Sequence, residues 1–89
     1  MPTIAWFYGI AIQMFYNDHE PPHFHARYGR ARAIVRLSAG EIISGELPVT
    51  AARLVRQWAL ARNAELQDNW QRARARKPLE RIAGPDADE

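Results

Sequence analysis

Residues 17–29, read NDHEPPHFHARYG, hold all three histidines of the chain, His19, His23 and His25, beside the carboxylates Asp18 and Glu20 and the exit Arg27-Tyr28. Imidazole and carboxylate groups ligate metals and move protons, and guanidinium grips anions. Pro21-Pro22 removes two backbone donors and pushes Glu20 and Pro21 out of helical dihedrals, so the stretch turns a stiff corner. Beyond the corner, His23-Phe24-His25-Ala26-Arg27-Tyr28 alternates. In a strand, alternate side chains share a face, which sets His23, His25 and Arg27 on one side and Phe24, Ala26 and Tyr28 on the other. The functional loop expected from this pattern comprises Asp18, His19, His23, His25, Arg27 and Tyr28.

Three chemistries suit these residues. His23 and His25, two apart on a strand, can point at one divalent metal, with His19 or Asp18 completing the set from across the corner; the plain alternative is that the histidines are structural. Asp18 or Glu20 can orient an imidazole for acid–base work while Arg27 holds an anionic substrate. The loop contains no serine, threonine or cysteine nucleophile, so no catalytic residue is assigned. Arg27, Arg30, Arg32 and Arg36, with Tyr28 for stacking, suit nucleic acid through phosphate contact and base stacking. Arg72, Arg74, Arg76 and Lys77 form a second basic group, which the dipole at a helix C-terminus explains equally well.

The elements that must position this loop are legible from periodicity. Thr3–Tyr8 and Ile10–Tyr16 read as strands around a tight turn or bulge at Gly9. The loop strand follows, then a turn at Gly29-Arg30 and a strand Ala31–Leu37 with Ala33, Val35 and Leu37 on one face. Ile42–Glu46 is expected at a sheet edge, weakened by Gly45. After Pro48, the residues Ala51, Leu54, Val55, Trp58 and Ala59 follow helical spacing, continued by Leu66, Trp70 and Ala73. One helix from 48 to 76 would run about 43 Å, too long for a domain with a radius of gyration of about 12 Å. A break near Asn63 is therefore expected, with Asn63 capping the second helix.

The 89 residues make one small domain. Residues 1–77 are expected to fold, and 78–89 to form a flexible acidic tail. The 47% apolar content and three tryptophans allow a single modest core. The absence of cysteine excludes a disulfide framework and thiolate chemistry. No apolar run reaches the roughly 20 residues of a membrane span, so a cytoplasmic protein with no membrane partner is expected. Charge is segregated: −2 over residues 1–26, +7 over 27–81 and −3 beyond. Eleven of the twelve basic residues are arginine, which favours forked contacts to carboxylate or phosphate.

MPTI at the start, NDHEPPHFHARYG, SAGEIISGELP and VRQWALARNAELQDNW together resemble a small bacterial family of uncharacterised proteins defined as a domain of unknown function. Asp18, His19, His23, His25, Arg27, Tyr28, Gly29, Leu47, Pro48, Trp58, Leu66 and Trp70 carry the resemblance, which spans about residues 1–75. It implies a cytoplasmic single-domain protein with a toxin–antitoxin-like gene context, and no catalytic residue.

The expected fold is α+β: a mostly antiparallel sheet of four or five strands, with two C-terminal helices packed on one face through Leu54, Trp58, Leu66 and Trp70. The aromatic residues Trp6, Phe7, Tyr8, Phe15 and Tyr16 populate both faces of the first hairpin, more than one helical layer covers, and an exposed aromatic patch marks an interface. The expected function is therefore a non-catalytic interaction module, which the family resemblance implies is one component of a toxin–antitoxin-like pair. Its partner would be a protein or a second copy of the chain, with nucleic acid as a further partner. The alternative is a small RNA-directed or metal-dependent hydrolase using the histidines, and a divalent metal is the one cofactor the pattern suggests.

Overall fold

A computed structural model describes residues 2–85. Five strands, β1 (Thr3–Phe7), β2 (Ile10–Gln13), β3 (His23–Tyr28), β4 (Ala31–Arg36) and β5 (Ile42–Glu46), precede two helices, α1 (Val49–Ala61) and α2 (Asn63–Arg74). The sheet is an antiparallel meander in the order β1-β2-β3-β4-β5. The α+β class, the strand count and the two C-terminal helices are as the sequence periodicity indicates. No helix among the described residues is long and apolar enough to cross a membrane.

Tight turns set the register. Tyr8 and Gly9 both have positive φ, 51° and 79°, the two-residue turn whose twist matches flanking strands. Gly45 (φ 78°) lies so near β4 that a Cβ there would sit 2.3 Å from the Arg32 carbonyl oxygen. Only glycine fits, and β5 closes onto β4 where the ladder shifts register between Ile34 and Val35.

One face of the sheet carries the core. Phe7, Ile10, Ile12, Phe24, Ala26, Ala33 and Val35 cluster with Val55, Trp58 and Ala59 of α1 and Leu66, Trp70 and Ala73 of α2. Trp58 packs against both Phe7 and Phe24, with ring centroids 5.1 and 5.8 Å away. Leu54 is only partly buried, at the margin of this cluster.

Two sequence expectations are corrected. Asn63 does not cap α2: Arg62 holds that position, without a side-chain bond. The Asn63 amide instead donates to the Leu37 carbonyl at 2.8 Å and ties the helix junction to the end of β4. The stretch after Lys77, expected as a flexible tail, is laid against the domain up to Gly84. Ile82 is 3% exposed and its backbone N–H donates to the Ile4 carbonyl at 2.8 Å. Buried Asn69 donates to and accepts from the Glu80 backbone, both at 2.8 Å, and the Trp58 indole donates to the Ala83 carbonyl. These bonds satisfy buried polar groups that would otherwise oppose folding. The acidic end, Asp86, Asp88 and Glu89, lies outside the described residues, as does Met1.

Candidate functional site

The loop between β2 and β3 is fastened to the end of α2. Asn17 takes a positive φ of 58°, which asparagine tolerates better than most residues, and its N–H donates to the Ala73 carbonyl. Arg74 pairs with Glu20, and the His23 ring lies 5.5 Å from that of Trp70. The Glu20–Pro21 bond is cis. Thus the helix end fixes the loop, and the loop fixes Asp18 over the start of β3.

Asp18 there meets two imidazoles. Its Oδ2 lies 2.9 Å from His23 Nε2 and 3.4 Å from His25 Nε2. The other His23 nitrogen, Nδ1, is 2.7 Å from the Pro21 carbonyl, and a carbonyl only accepts, so Nδ1 carries the proton. A neutral imidazole has one N–H; with Nδ1–H spent, Nε2 aims a lone pair at a carboxylate unless a second proton or a cation lies between. His23 is 2% exposed and His25 24%. Phe15 packs on His25, ring centroids 4.3 Å apart. Ligand atoms of Asp18, His23 and His25 all lie within 4.8 Å of one another.

Electrostatics follow from these contacts. Burial acts to raise the Asp18 carboxyl. The His19 backbone N–H, the charge of His23 and the hydrogen bonds from both imidazoles outweigh it and hold the group below its ordinary 3.8. Burial pushes His25 below its ordinary 6.5, with His23 and His19 acting the same way against the Asp18 bond. Asp18 therefore stays ionised and His25 readily presents a neutral nitrogen, the forms that ligate cations.

The other expected site residues separate. His19 is at the rim, 80% exposed, with Nδ1 on the Glu20 carbonyl and Nε2 3.8 Å from Asp18 Oδ1. Arg27 lies outside the cluster, on the sheet face that no helix covers, directly opposite Arg32. Tyr28 is on the helix-bearing side, in a groove with Tyr8, Pro48 and Leu54, so its ring is not placed to stack beside Arg27. Arg36 is drawn into an ion pair with Glu41. Arg30 occupies the exposed β3–β4 turn. Of the second basic group, Arg72 pairs with Asp68 and Glu80 and Arg74 with Glu20.

A depression of about 390 Å³ adjoins His25 on the uncovered face, lined by Gln13, Phe15, Arg27, Arg32, Ile34 and Ser44 among others. Gln13, Phe15 and Trp70 were not among the expected site residues. The alternation of β2 carried a signal for the first two, since Gln13 and Phe15 fall opposite the apolar Ile10, Ile12 and Met14. No sequence signal joins Trp70 to His23, because the contact crosses from helix to strand.

Neither the curated proteins nor the solved structures include a match to this chain. A family model described as "Domain of unknown function (DUF4160)" matches residues 9–71, a span that takes in β2, the histidine loop, β3 to β5, α1 and most of α2 but not β1. With Asp18, His23 and His25 all inside the matched span, the chain belongs to this family of domains of unknown function.

Proposed function

We propose that the chain is a small interaction module organised around a divalent transition-metal centre, with Asp18, His23 and His25 as its protein ligands. One observation carries the reading: both Nε2 atoms converge on a single Asp18 oxygen while His23 Nδ1–H is already given to the Pro21 carbonyl. Metal-ligating histidines characteristically donate the second ring N–H to a carbonyl or carboxylate, which fixes the tautomer and orients the ring. A cation among the three atoms would take the place of the second proton that His23 Nε2 otherwise needs to face the carboxylate. Imidazole donors with one carboxylate suit zinc and its transition-metal neighbours, and three protein ligands leave a position for a further donor. The uncovered sheet face, with Trp6 60% exposed, supports the interaction role. A toxin–antitoxin-like pairing, which the family resemblance implies, agrees with that role.

Zinc titration by calorimetry tests the centre. One equivalent is expected to bind the wild type and His19→Gln alike. Asp18→Asn and His25→Gln should weaken binding by more than the roughly 10–100-fold typical of losing an outer partner. Undiminished uptake by His25→Gln, or no uptake by wild type, would refute the centre.

A second reading is favoured by the position of His25, which touches both Asp18 and the depression holding Arg27 and Arg32. An open metal position beside two arginines suits RNA-directed hydrolysis, in which a metal activates water and guanidinium groups hold the phosphate. Zinc- or manganese-loaded protein that leaves single-stranded RNA intact would remove this reading and leave the metal centre standing.

A further inference from the structure

We propose that the uncovered face of the sheet binds a single strand of nucleic acid, seating a backbone phosphate between Arg27 and Arg32 and a base on Trp6. The inference goes beyond the metal centre and rests on different residues.

The strand register writes the face out. Trp6 pairs with Ala11, Ala11 with Arg27, Arg27 with Arg32 and Arg32 with Glu46, one continuous line from β1 to β5. The neighbouring line runs Gln13, His25, Ile34, Ser44. Two arginines directly opposite on adjacent strands repel, and such pairs weaken a sheet. Among the described residues neither guanidinium forms an ion pair, and Glu46, the only carboxylate on that line, is the register neighbour of Arg32 without bridging to it. By contrast Arg36, the other arginine of the strands, and Arg72 and Arg74 of α2 are all engaged by carboxylates. An anion seated between Arg27 and Arg32 turns the repulsion into two forked contacts.

The surroundings specify the anion. The depression beneath the arginines adds Gln13 and Ser44, donors that suit a phosphodiester and its sugar. Trp6 lies two strands from Arg27, about 10 Å at the usual strand spacing, and only the methyl of Ala11 stands between. An exposed indole on a flat sheet face beside arginines stacks unpaired bases, which a duplex keeps hidden.

Fluorescence anisotropy with labelled single-stranded RNA and DNA of about 12 nucleotides, within the footprint of such faces, provides the test. It is run with a chelator present, so that the metal centre plays no part. Binding should weaken steeply with salt, and Arg27→Gln/Arg32→Gln should lower the salt slope by about 0.7 for each phosphate no longer neutralised. Trp6→Ala should weaken binding roughly 5- to 150-fold, the span of one stacked base. Arg53→Ala/Arg56→Ala, two exposed positions on α1, should bind as wild type. Thermal melts of Arg27→Gln/Arg32→Gln at or above the wild-type midpoint show that the fold survives the change, as relief of like-charge repulsion predicts. Its zinc uptake should be unaltered, which separates failure here from failure of the metal centre. Absence of binding at low salt, preference for duplex, or equal losses in the α1 and sheet variants would overturn the proposal. Capture of an acidic protein by a face that ignores nucleic acid would do the same.

Discussion

At the scale of single residues, Asp18, His23 and His25 form one unit with unequal members. His23 is enclosed between the Pro21 carbonyl, Asp18 and Trp70, so it serves the fold as well as the site. His23→Gln should cost about 1–3 kcal/mol, because glutamine misplaces one of two buried partners. His19→Gln, at an exposed rim position, should stay within about 0.5 kcal/mol of wild type; urea melts of both variants check the contrast. His25 supplies a pH dependence. Its folded-state value lies below the ordinary 6.5, so the unfolded chain holds that proton more firmly and acid favours unfolding. In chelator, stability contributed by neutral His25 should be complete above 6.5 and fall as the pH drops from there toward the lower folded-state value. Asp18, held below 3.8, contributes above that value and is lost under stronger acid. His25→Gln should flatten the upper part of the profile, while the lower part persists in reduced form because Asp18 keeps His23 and the His19 N–H. An unchanged upper profile in that variant would show that another group carries it.

At the scale of elements, the loop is positioned by α2, and α2 is positioned in turn by the segment that follows it. Asn69 clasps the Glu80 backbone, and Ile82 bonds and packs beside β1. Ile82→Ala should cost about 2–5 kcal/mol as a large-to-small core change, and Asn69→Ala about 1–3 kcal/mol for a buried bond pair. Melts of both variants near the wild-type midpoint would return this segment to the role of a loose tail. Sequence reading missed it for a physical reason. Leu79 and Ile82 stand alone among Pro78, Gly84, Pro85 and charged residues, so no period announces burial, and their partners lie far away in the chain. Asn63 misled in a similar way. A good capping residue at a helix break reads as a cap, but the Leu37 carbonyl recruited its amide instead. The strands were legible because alternation in Ala31–Leu37 and His23–Tyr28 separates the two faces directly.

At the scale of the whole molecule, a single helical layer divides the sheet into a core face and an uncovered face. The sequence showed that Arg27, Arg32 and Arg36 alternate with apolar residues. It could not show that Glu41 occupies Arg36 while Arg27 faces Arg32 without a carboxylate between them, since both facts depend on cross-strand register. It likewise showed the histidines and Asp18 as neighbours, whereas their convergence depends on the loop being drawn back by Asn17, Glu20 and α2. The Asp-His-His cluster and the uncovered face meet at His25, so a metal held by the cluster would sit within reach of anything bound in the depression. The most direct measurement follows the imidazole ring nitrogens by NMR as zinc is added to the wild-type protein above the ordinary histidine range. The structure predicts that Nε2 of both His23 and His25 shifts with one equivalent of zinc, that His23 Nδ1 keeps its proton on the Pro21 carbonyl, and that His19 stays as it was. Ring nitrogens of His23 and His25 that remain unmoved, or zinc that goes to His19 alone, would contradict the metal centre and leave Asp18 a structural clamp on the loop.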